Sequence, residues 1–296
     1  MKDLLLGQLV VGLINGSFYA LLSLGIAVIF GMLRIVNFVH GAQYMLGALA
    51  AWFLLNMGSI YPELGLPSLN YWWSLLLVPI VLGGLGMLLE VVVIRRIYKM
   101  DHLYGLLLTL GLGLMIEGLF QAYFGTAGRP YSIPTNLSGR LDLGFMSLPI
   151  YRAWVIIASL LVCFTTWYAI EKTKLGSYLR SATEDPVLVQ AFGIRVPRLL
   201  TMTYGAGVAL AGLAGVMAAP IYQVSPLMGQ NIVVTVFAVV IIGGMSSIGG
   251  AIVTGIALGL LESAFKVFYP AAASSVIFVA MAVVLLFKPH GLFGRA

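Results

Sequence analysis

The chain has 296 residues, of which 61% are hydrophobic and only 9% are charged. Soluble globular domains average about 25% charged residues, so this composition excludes an ordinary soluble fold. The net charge of +6 does not indicate a nucleic acid partner, because the Lys and Arg residues form short clusters between apolar runs without a basic stripe. Such clusters are typical of the cytoplasmic loops of membrane proteins.

Long apolar runs without alternation predict membrane-spanning helices. A helix needs about 20 apolar residues to cross a bilayer, whereas a barrel strand needs about 10 that alternate. No charge occurs from Leu4 to Leu33 or from Leu199 to Leu261. We therefore predict an all-α polytopic membrane protein with about eight or nine transmembrane helices, some of them rich in glycine and broken. The candidate spans lie near residues 5–30, 40–57, 72–94, 103–124, 152–170, 200–218, 232–248, 251–268 and 272–287.

The basic residues predict the orientation of the chain. Two predicted spans separate the basic groups at 95–99 and 172–198, so both groups fit the same, cytoplasmic side. This assignment predicts a bacterial-type inner membrane protein with an external N-terminus and a cytoplasmic C-terminus. Lys2 fits it poorly, and the segment 31–40 is either a full connection or a re-entrant break. The basic residues placed inside are Arg34, Arg95, Arg96, Lys99, Lys172, Lys174, Arg180, Arg195, Arg198, Lys288 and Arg295.

The predicted spans leave two long connections. Residues 125–150 have no helical period and are predicted to be external, as a docking surface for an external partner or as a lid. Residues 171–199 are predicted to be cytoplasmic, and they far exceed the roughly 2–8 residues that ordinary connectors between helices need. A shorter interruption, the glycines and serines from Gly243 to Gly250, predicts a tight turn or a broken helix.

The middle of the cytoplasmic connection predicts a short helix. Asp185 is suited to cap its N-terminus, Pro186 to the first helical position and Gly193 to a left-handed stop. A helix this short is marginal alone in water, so it is expected to rest against something, either the chain's own helices or a partner. Its apolar patch consists of Val187, Leu188, Ala191 and Phe192, and its polar rim of Arg180, Glu184 and Asp185.

Polar residues inside the predicted spans require an explanation, since placing an ionisable side chain at the bilayer centre costs roughly 2.5–3.5 kcal/mol of insertion free energy. Asn37, His40 and Gln43 recur every three residues and so share one helical face. They either line a wet path or gate, or are satisfied within the core. Glu117 either lines a polar pathway or forms a hydrogen bond to a neighbouring helix.

Four further polar residues have more ordinary explanations. Asn15 and Thr109 offer neutral hydrogen-bonding groups, which suit the same path or contacts between helices. Glu90 is predicted to reach the membrane surface from near the end of its helix. Glu262 is predicted to pair with Lys266, which lies four residues further along the same helix.

The sequence contains no enzyme signature. It has no glycine-rich loop with Lys for nucleotide phosphates, no paired His or Cys metal ligands and no nucleophile beside an evident base. We therefore predict no catalytic residues, no metal site and no cofactor bound by this chain. Any ATP that drives the protein is expected to be hydrolysed by another chain.

Four segments resemble the permease subunits of branched-chain amino acid ABC importers, whose relatives carry urea and short amides. They are "LINGSFYALLSLGIAVIFGMLRIVNFVHGAQYMLGA", "LTLGLGLMIEGLFQAYFG", "GSYLRSATEDPVLVQAFGI" and "AGLAGVMAAPIYQVSPLMG" with "VFAVVIIGGMSSIGGAIVTG". The resemblance extends from Gly12 to Gly291. One departure is Ser246, where family members commonly have Gly.

The resemblance implies a single transmembrane permease domain over residues 1–296, with a second homologous permease subunit, two cytoplasmic ATPase subunits that use ATP and a periplasmic binding protein. It also implies that the short cytoplasmic helix couples the chain to an ATPase. The alternative is an ion-coupled secondary transporter or a channel for a small neutral solute, for which Glu117 is the only good candidate carboxylate. An intramembrane enzyme is a third hypothesis, and it lacks a paired acid and base.

Overall fold

The computed structural model describes residues 2–33, 35–65, 67–98 and 100–294. Helices dominate these ranges and confirm the predicted all-α fold. The helices are α1 Lys2–Leu33, α2 Val39–Ile60, α3 Tyr71–Val92, α4 His102–Phe124, α5 Ile150–Glu171, α6 Lys174–Glu184, α7 Pro186–Ala191, α8 Val196–Ala218, α9 Met228–Gly243, α10 Ile248–Phe268 and α11 Ser275–Phe287. Short 3₁₀ turns occupy Pro62–Leu64, Ile94–Ile97, Thr135–Leu137 and Pro270–Ala272.

Each predicted span coincides with a helix, but the helices differ in their fitness to cross a bilayer. Within the described ranges, six segments are long and apolar enough to do so. Helices α9 and α11, with 16 and 13 residues, are apolar but shorter, and α2 has the length but carries His40, Gln43 and Asn56. The six are Lys2–Leu33, Tyr71–Ile97, Leu103–Phe124, Ile150–Glu171, Val196–Ala218 and Ile248–Phe268.

The predicted external connection contains a small hairpin that the sequence did not indicate. Strands β1 Arg140–Asp142 and β2 Ser147–Pro149 pair antiparallel, with Leu141 opposite Leu148. Gly144, with φ of 80°, lies in the turn between them. A two-stranded hairpin of this size is marginal alone, and the lack of a clear alternating pattern explains why it was not predicted.

The chain divides into two compact units. The first contains residues 2–33, 137–200 and 234–294. In it, α1 packs on α10 through glycines, and a methyl group on Gly16 or Gly259 would collide with the backbone of the facing helix. Lys266 Nζ lies 2.8 Å from Glu262 Oε1, which confirms the predicted pair.

The turn between α9 and α10, also in the first unit, agrees with its prediction. Gly244 has a φ of 98°, a left-handed conformation that favours glycine. Ser247 then caps α10, since its hydroxyl accepts a hydrogen bond from the Gly250 N–H at 3.0 Å. The glycine- and serine-rich segment is therefore a tight turn between two helices.

The second unit contains residues 35–136 and 201–233. Helices α2 and α4 run side by side in the same direction, because the start of α2 lies against Gly113 and the Trp52 ring packs on Phe124 further along both helices. Helix α2 also touches α8 backbone to backbone, so a methyl group on Gly47 would collide with Gly212. These close approaches hold the start of α2 within the unit.

Candidate functional site

A buried polar cluster lies at the start of α2. Residues 35–37 are not helical, so Asn37 precedes the helix and does not share a helical face with His40 and Gln43 as predicted, although all three side chains are buried. Gln43 Nε2 donates a hydrogen bond to the Tyr204 hydroxyl of α8 at 3.3 Å. We call these four residues the Asn37 cluster. It brings together three residues that the sequence singled out and a tyrosine that it did not.

The amide of Asn37 is unusual because it is buried and approaches the Tyr204 hydroxyl but makes no well-formed hydrogen bond within the described residues. Among the described residues, neither Asn37 Oδ1 nor Asn37 Nδ2 has a hydrogen-bond partner, and the same is true of Gln43 Oε1. An unpaired buried polar group costs about 1–3 kcal/mol. The cluster therefore offers two amides to a water molecule or a small solute.

One face of α4 borders the same region of the unit. Gly105, Thr109, Gly113 and Glu117 are buried at four-residue spacing. The Thr109 hydroxyl accepts a hydrogen bond from the Phe38 N–H at 3.3 Å and donates one to the Val36 carbonyl at 3.1 Å. Thr109 thus holds the non-helical segment before α2 in place.

Glu117 lies one turn beyond Gly113 on this face of α4. Gly113 lies against the backbone of Phe38 and Val39, so Glu117 follows the start of α2 along the parallel pair of helices. None of the ion pairs in the described part of the chain includes Glu117. Asn15, by contrast, lies on α1 in the other unit, where it is half-buried.

A second polar cluster, in the same unit, was not anticipated from the sequence. The Glu90 side chain is fully buried and does not reach the surface as predicted. Its carboxylate pairs with Arg95, with Oε2 2.8 Å from Arg95 Nη2. Tyr98 donates to Oε1 at 2.7 Å and Thr201 to Oε2 at 2.8 Å. We call these four residues the Glu90 cluster.

Tyr98 is well suited to its place in the Glu90 cluster. Burial, followed by the hydrogen bond to Glu90, raises the pKa of the Tyr98 phenol above its ordinary value. The phenol therefore keeps its proton at physiological pH and donates it to the carboxylate. The signal that the sequence offered was the clustering of Arg95 and Tyr98 within eight positions of Glu90, but Thr201 is distant in sequence.

The short helix α7 has the predicted local structure. Asp185 Oδ1 accepts hydrogen bonds from the N–H groups of Val187 and Leu188 at 3.0 and 2.9 Å. Pro186 occupies the first turn, and Gly193 has a φ of 83°. The predicted cap, first residue and stop are therefore confirmed.

The apolar patch of α7 is exposed in the isolated chain. Val187 is 75% and Phe192 is 78% exposed, and Leu188 and Ala191 are exposed as well. The opposite side of the helix is anchored, since Val189 packs with Ala182 and Val196. The packing of Val189 therefore holds the exposed patch in a fixed position on the chain.

The predicted rim of the patch is divided in the structure. Glu184 and Asp185 lie at the junction of α6 and α7, and both are exposed. Arg180 Nη1 lies 3.4 Å from Glu171 Oε2, at the end of α5. The acidic residues therefore flank the patch, whereas Arg180 is bound to the preceding helix.

Long apolar helices, close packing through glycine and a buried set of neutral polar groups define a multi-pass membrane protein. The chain belongs to the family described as the branched-chain amino acid transport system / permease component, whose profile matches residues 8–286. The family places the chain among transport subunits.

Curated relatives match nearly the whole chain. The high-affinity branched-chain amino acid transport system permease protein BraD of Pseudomonas aeruginosa is 28% identical, over 98% of this chain and 96% of the relative. The corresponding protein LivH of Escherichia coli is 25% identical, with the same shares covered. A probable branched-chain amino acid transport permease protein LivH of Methanocaldococcus jannaschii is 27% identical, over 95% of this chain and 90% of the relative.

Proposed function

We propose that this chain is a membrane permease subunit of an ATP-driven importer and forms the translocation path for branched-chain amino acids or related small neutral solutes. The names of the relatives support the substrate class. The observation in the structure that carries the proposal is the fully buried amide of Asn37, which makes no well-formed hydrogen bond within the described part of the chain. Such a group is costly in a finished core, but it is useful where a solute or water completes its hydrogen bonds in transit.

The Asn37 cluster suits a neutral or zwitterionic solute. An amide both donates and accepts hydrogen bonds, so it can meet an ammonium, a carboxylate or another amide without holding a fixed charge. In this proposal Asn37, His40 and Gln43 border the path directly. Thr109 positions the segment before α2, and Glu117 lies further along the same unit, while Asn15 in the other unit stays a predicted path residue.

The exposed patch of α7 supports a proposal for the ATPase contact. Val187, Leu188, Ala191 and Phe192 enter a groove of a cytoplasmic ATPase subunit, with Glu184 and Asp185 at its rim. Arg180 and Glu171 hold the neighbouring helix, and Pro186 and Gly193 set the ends of α7. Nucleotide-driven movement reaches the spans only through a contact that transmits force, and the packing of the buried Val189 against Ala182 and Val196 supports α7 in this role.

The assembly that follows from this function has several chains. We propose a second homologous permease subunit, two cytoplasmic ATPase subunits and a periplasmic substrate-binding protein. ATP is then the cofactor of the ATPase subunits, and this chain itself catalyses no reaction and binds no metal. The C-terminus is cytoplasmic in this arrangement, and the hairpin of residues 140–149 faces the periplasm.

Uptake by the reconstituted assembly tests the function. The purified chain with its native neighbours is placed in liposomes with external radiolabelled leucine, and ATP is supplied on the ATPase side. Uptake is expected to require ATP hydrolysis and the binding protein. Uptake by this chain alone, driven by an ion gradient, would replace the proposal with the secondary-transporter hypothesis.

The ATPase contact has its own experiment. The double variant Asp185→Ala with Phe192→Asp is expected to remain in the membrane but to lose the ATPase on purification, or to hydrolyse ATP without uptake. Ser181→Asp adds one negative charge at an exposed position of α6 outside the patch and is the control for the charge that Phe192→Asp introduces. Normal uptake and normal co-purification of the double variant would refute the assignment.

The orientation is tested with reporters. A reporter fused after Arg295 is expected in the cytoplasm, and one inserted near the exposed Ser138 in the periplasm. Arg34, Lys99 and Arg295, which contributed to the prediction, lie outside the described residues. Opposite reporter signals would invert the topology.

A further inference from the structure

Helix α6 has an apolar surface that the chain covers only in part. Gly176, Leu179 and Ala182 are buried, at three-residue spacing. Beside this buried row, Leu175 is 48% and Tyr178 is 43% exposed. The helix is amphipathic, and the exposed apolar side chains of Leu175 and Tyr178 are expected to be covered by a membrane or by another molecule.

Two contacts fix α6 at the level where α5 ends. Helix α5 is long and apolar enough to cross a membrane, and it ends at Glu171, three residues before α6 begins. A methyl group on Gly176 would collide with the Ile170 carbonyl, so the first turn of α6 lies directly against the last turn of α5. The first turn of α6 therefore lies at the level where the apolar length of α5 ends.

The end of α5 carries the residues that are typical of a membrane interface. The Trp167 ring lies 5.7 Å from Lys172 Nζ, and Tyr168 is exposed on the same last turns. Trp and Tyr concentrate where hydrocarbon meets headgroups, and Lys residues just outside attract anionic lipids. Lys172 and Lys174 are both exposed and flank the start of α6.

We propose that α6 is an interfacial membrane anchor that binds anionic lipid. Leu175 and Tyr178 insert at the boundary of headgroups and acyl chains, and Lys172 and Lys174 contact lipid phosphates. Helices of this kind lie in the plane of the interface with the apolar side buried by about 5–10 Å. The proposal does not depend on the identity of the transported solute or of the ATPase.

The charges around α6 and α7 distinguish the occupants of their two exposed patches. Lys172 and Lys174 precede Leu175 and Tyr178, whereas the patch of α7 lies between Glu184 and Asp185 on one side and the exposed Arg195 and Arg198 on the other. The acidic pair at the start of α7 is repelled by an anionic membrane surface, which favours lipid at α6 and a protein at α7. Since Asp185 alone separates the two helices, the lipid contact of α6 sets the depth of α7 below the membrane.

A spin label tests the insertion of α6. In the full chain with Cys163→Ser, a nitroxide is attached at Tyr178→Cys or, as the matched control, at Ser177→Cys on an exposed polar face of α6. Both proteins are reconstituted in bilayers containing phosphatidylglycerol. Position 178 is expected to collide several-fold more with oxygen, relative to a water-soluble nickel chelate, than position 177.

The lysines provide the second measurement. Each lysine near an anionic surface contributes about fivefold in binding, so Lys172→Gln with Lys174→Gln is expected to abolish the preference of the label at 178 for phosphatidylglycerol over phosphatidylcholine. A label at 178 that is as open to the nickel chelate as one at 177 would overturn the proposal. Protection at 178 that occurs only after an ATPase subunit is added would overturn it as well, in favour of a protein occupant.

Discussion

The two buried polar clusters of the second unit lie one turn apart on α8, at Thr201 and Tyr204, and they are satisfied to very different degrees. Each oxygen of the Glu90 carboxylate accepts two hydrogen bonds, from Arg95, Tyr98 and Thr201. The amide of Asn37 has none among the described residues. The Glu90 cluster contains an ion pair and is complete, whereas the Asn37 cluster has no ion pair within the described residues and is incomplete.

This difference separates a structural role from a transport role. A fully paired network rigidifies the elements that it joins, here α3, the Ile94–Ile97 turn and α8. An incomplete set of neutral groups gains its missing hydrogen bonds only from a molecule that enters. Changes in the Glu90 cluster are therefore expected to affect folding, and changes in the Asn37 cluster are expected to affect uptake.

The largest effect on folding is expected for Arg95→Ala. Removing one partner of a buried ion pair leaves the other charge uncompensated, which costs about 3–5 kcal/mol. Because the Arg95 side chain is 37% exposed, a loss of free energy of unfolding near the lower end, about 3 kcal/mol, is expected. Thermal unfolding of the purified protein in detergent measures it.

The neighbouring Arg96 provides the control for this prediction. It is exposed, and Arg96→Ala is expected to change stability by no more than about 0.5 kcal/mol. Equal stability of the two alanine variants would show that the Glu90 cluster does not hold α3 to α8.

The largest effect on uptake is expected for Asn37→Leu. The leucine has the same branched arrangement of side-chain heavy atoms and breaks no well-formed hydrogen bond within the described protein, so the free energy of unfolding is expected to change little. Uptake is expected to fall about tenfold, the equivalent of one lost hydrogen bond to the solute of about 1.4 kcal/mol. Transport and unfolding are measured on the same preparation.

A contrasting asparagine sharpens the test of Asn37. Asn70 caps α3 by accepting hydrogen bonds from the N–H groups of Trp72 and Trp73 at 3.1 and 3.3 Å. Asn70→Ala is expected to cost about 0.5–2 kcal/mol of stability and to leave uptake per folded molecule unchanged. If Asn37→Leu instead destabilised the protein and spared uptake, the amide would be a structural group.

A smaller effect is expected for Tyr204→Phe. The change keeps the ring but removes the acceptor of the hydrogen bond from Gln43 Nε2, which costs about 1 kcal/mol. Uptake is expected to fall by a few fold, and Gln43→Leu is expected to add little once Tyr204 is changed, because the two residues act as a pair. Fully additive losses of uptake in the double variant would show that Gln43 and Tyr204 act independently.

The smallest effect is expected for Glu117→Gln. The glutamine keeps the shape and the hydrogen-bonding capacity of the side chain but removes its ionisable proton. ATP-driven uptake is therefore expected to change by no more than a few fold, measured in liposomes with and without a proton gradient. If the variant showed no uptake at any concentration of ATP, the ion-coupled alternative would be favoured.

Local features of this chain were predictable from the sequence. The spans follow from long apolar runs, and the ends of α7 follow from Asp185, Pro186 and Gly193, whose preferences act within a few residues. The same holds for the turn at Gly244 and for the Glu262–Lys266 pair, which lie on neighbouring positions. His40 and Gln43 share a helical face because helical spacing is a local property, whereas the same spacing wrongly placed Asn37 on the helix, which begins at Val39.

The tertiary structure decided which polar groups are satisfied. Glu90 is buried because Thr201, more than a hundred residues away, completes its hydrogen bonds, and no local pattern reports that pairing. A still greater distance in sequence, 161 residues, separates Gln43 from Tyr204. The sequence by itself therefore determined the class of protein, its helices and its family, since apolar length, capping and motif residues act locally. Only packing between helices that are distant in sequence decided that the Glu90 carboxylate has all its hydrogen bonds and that the Asn37 amide does not. A hydrogen bond depends on which atoms meet in space.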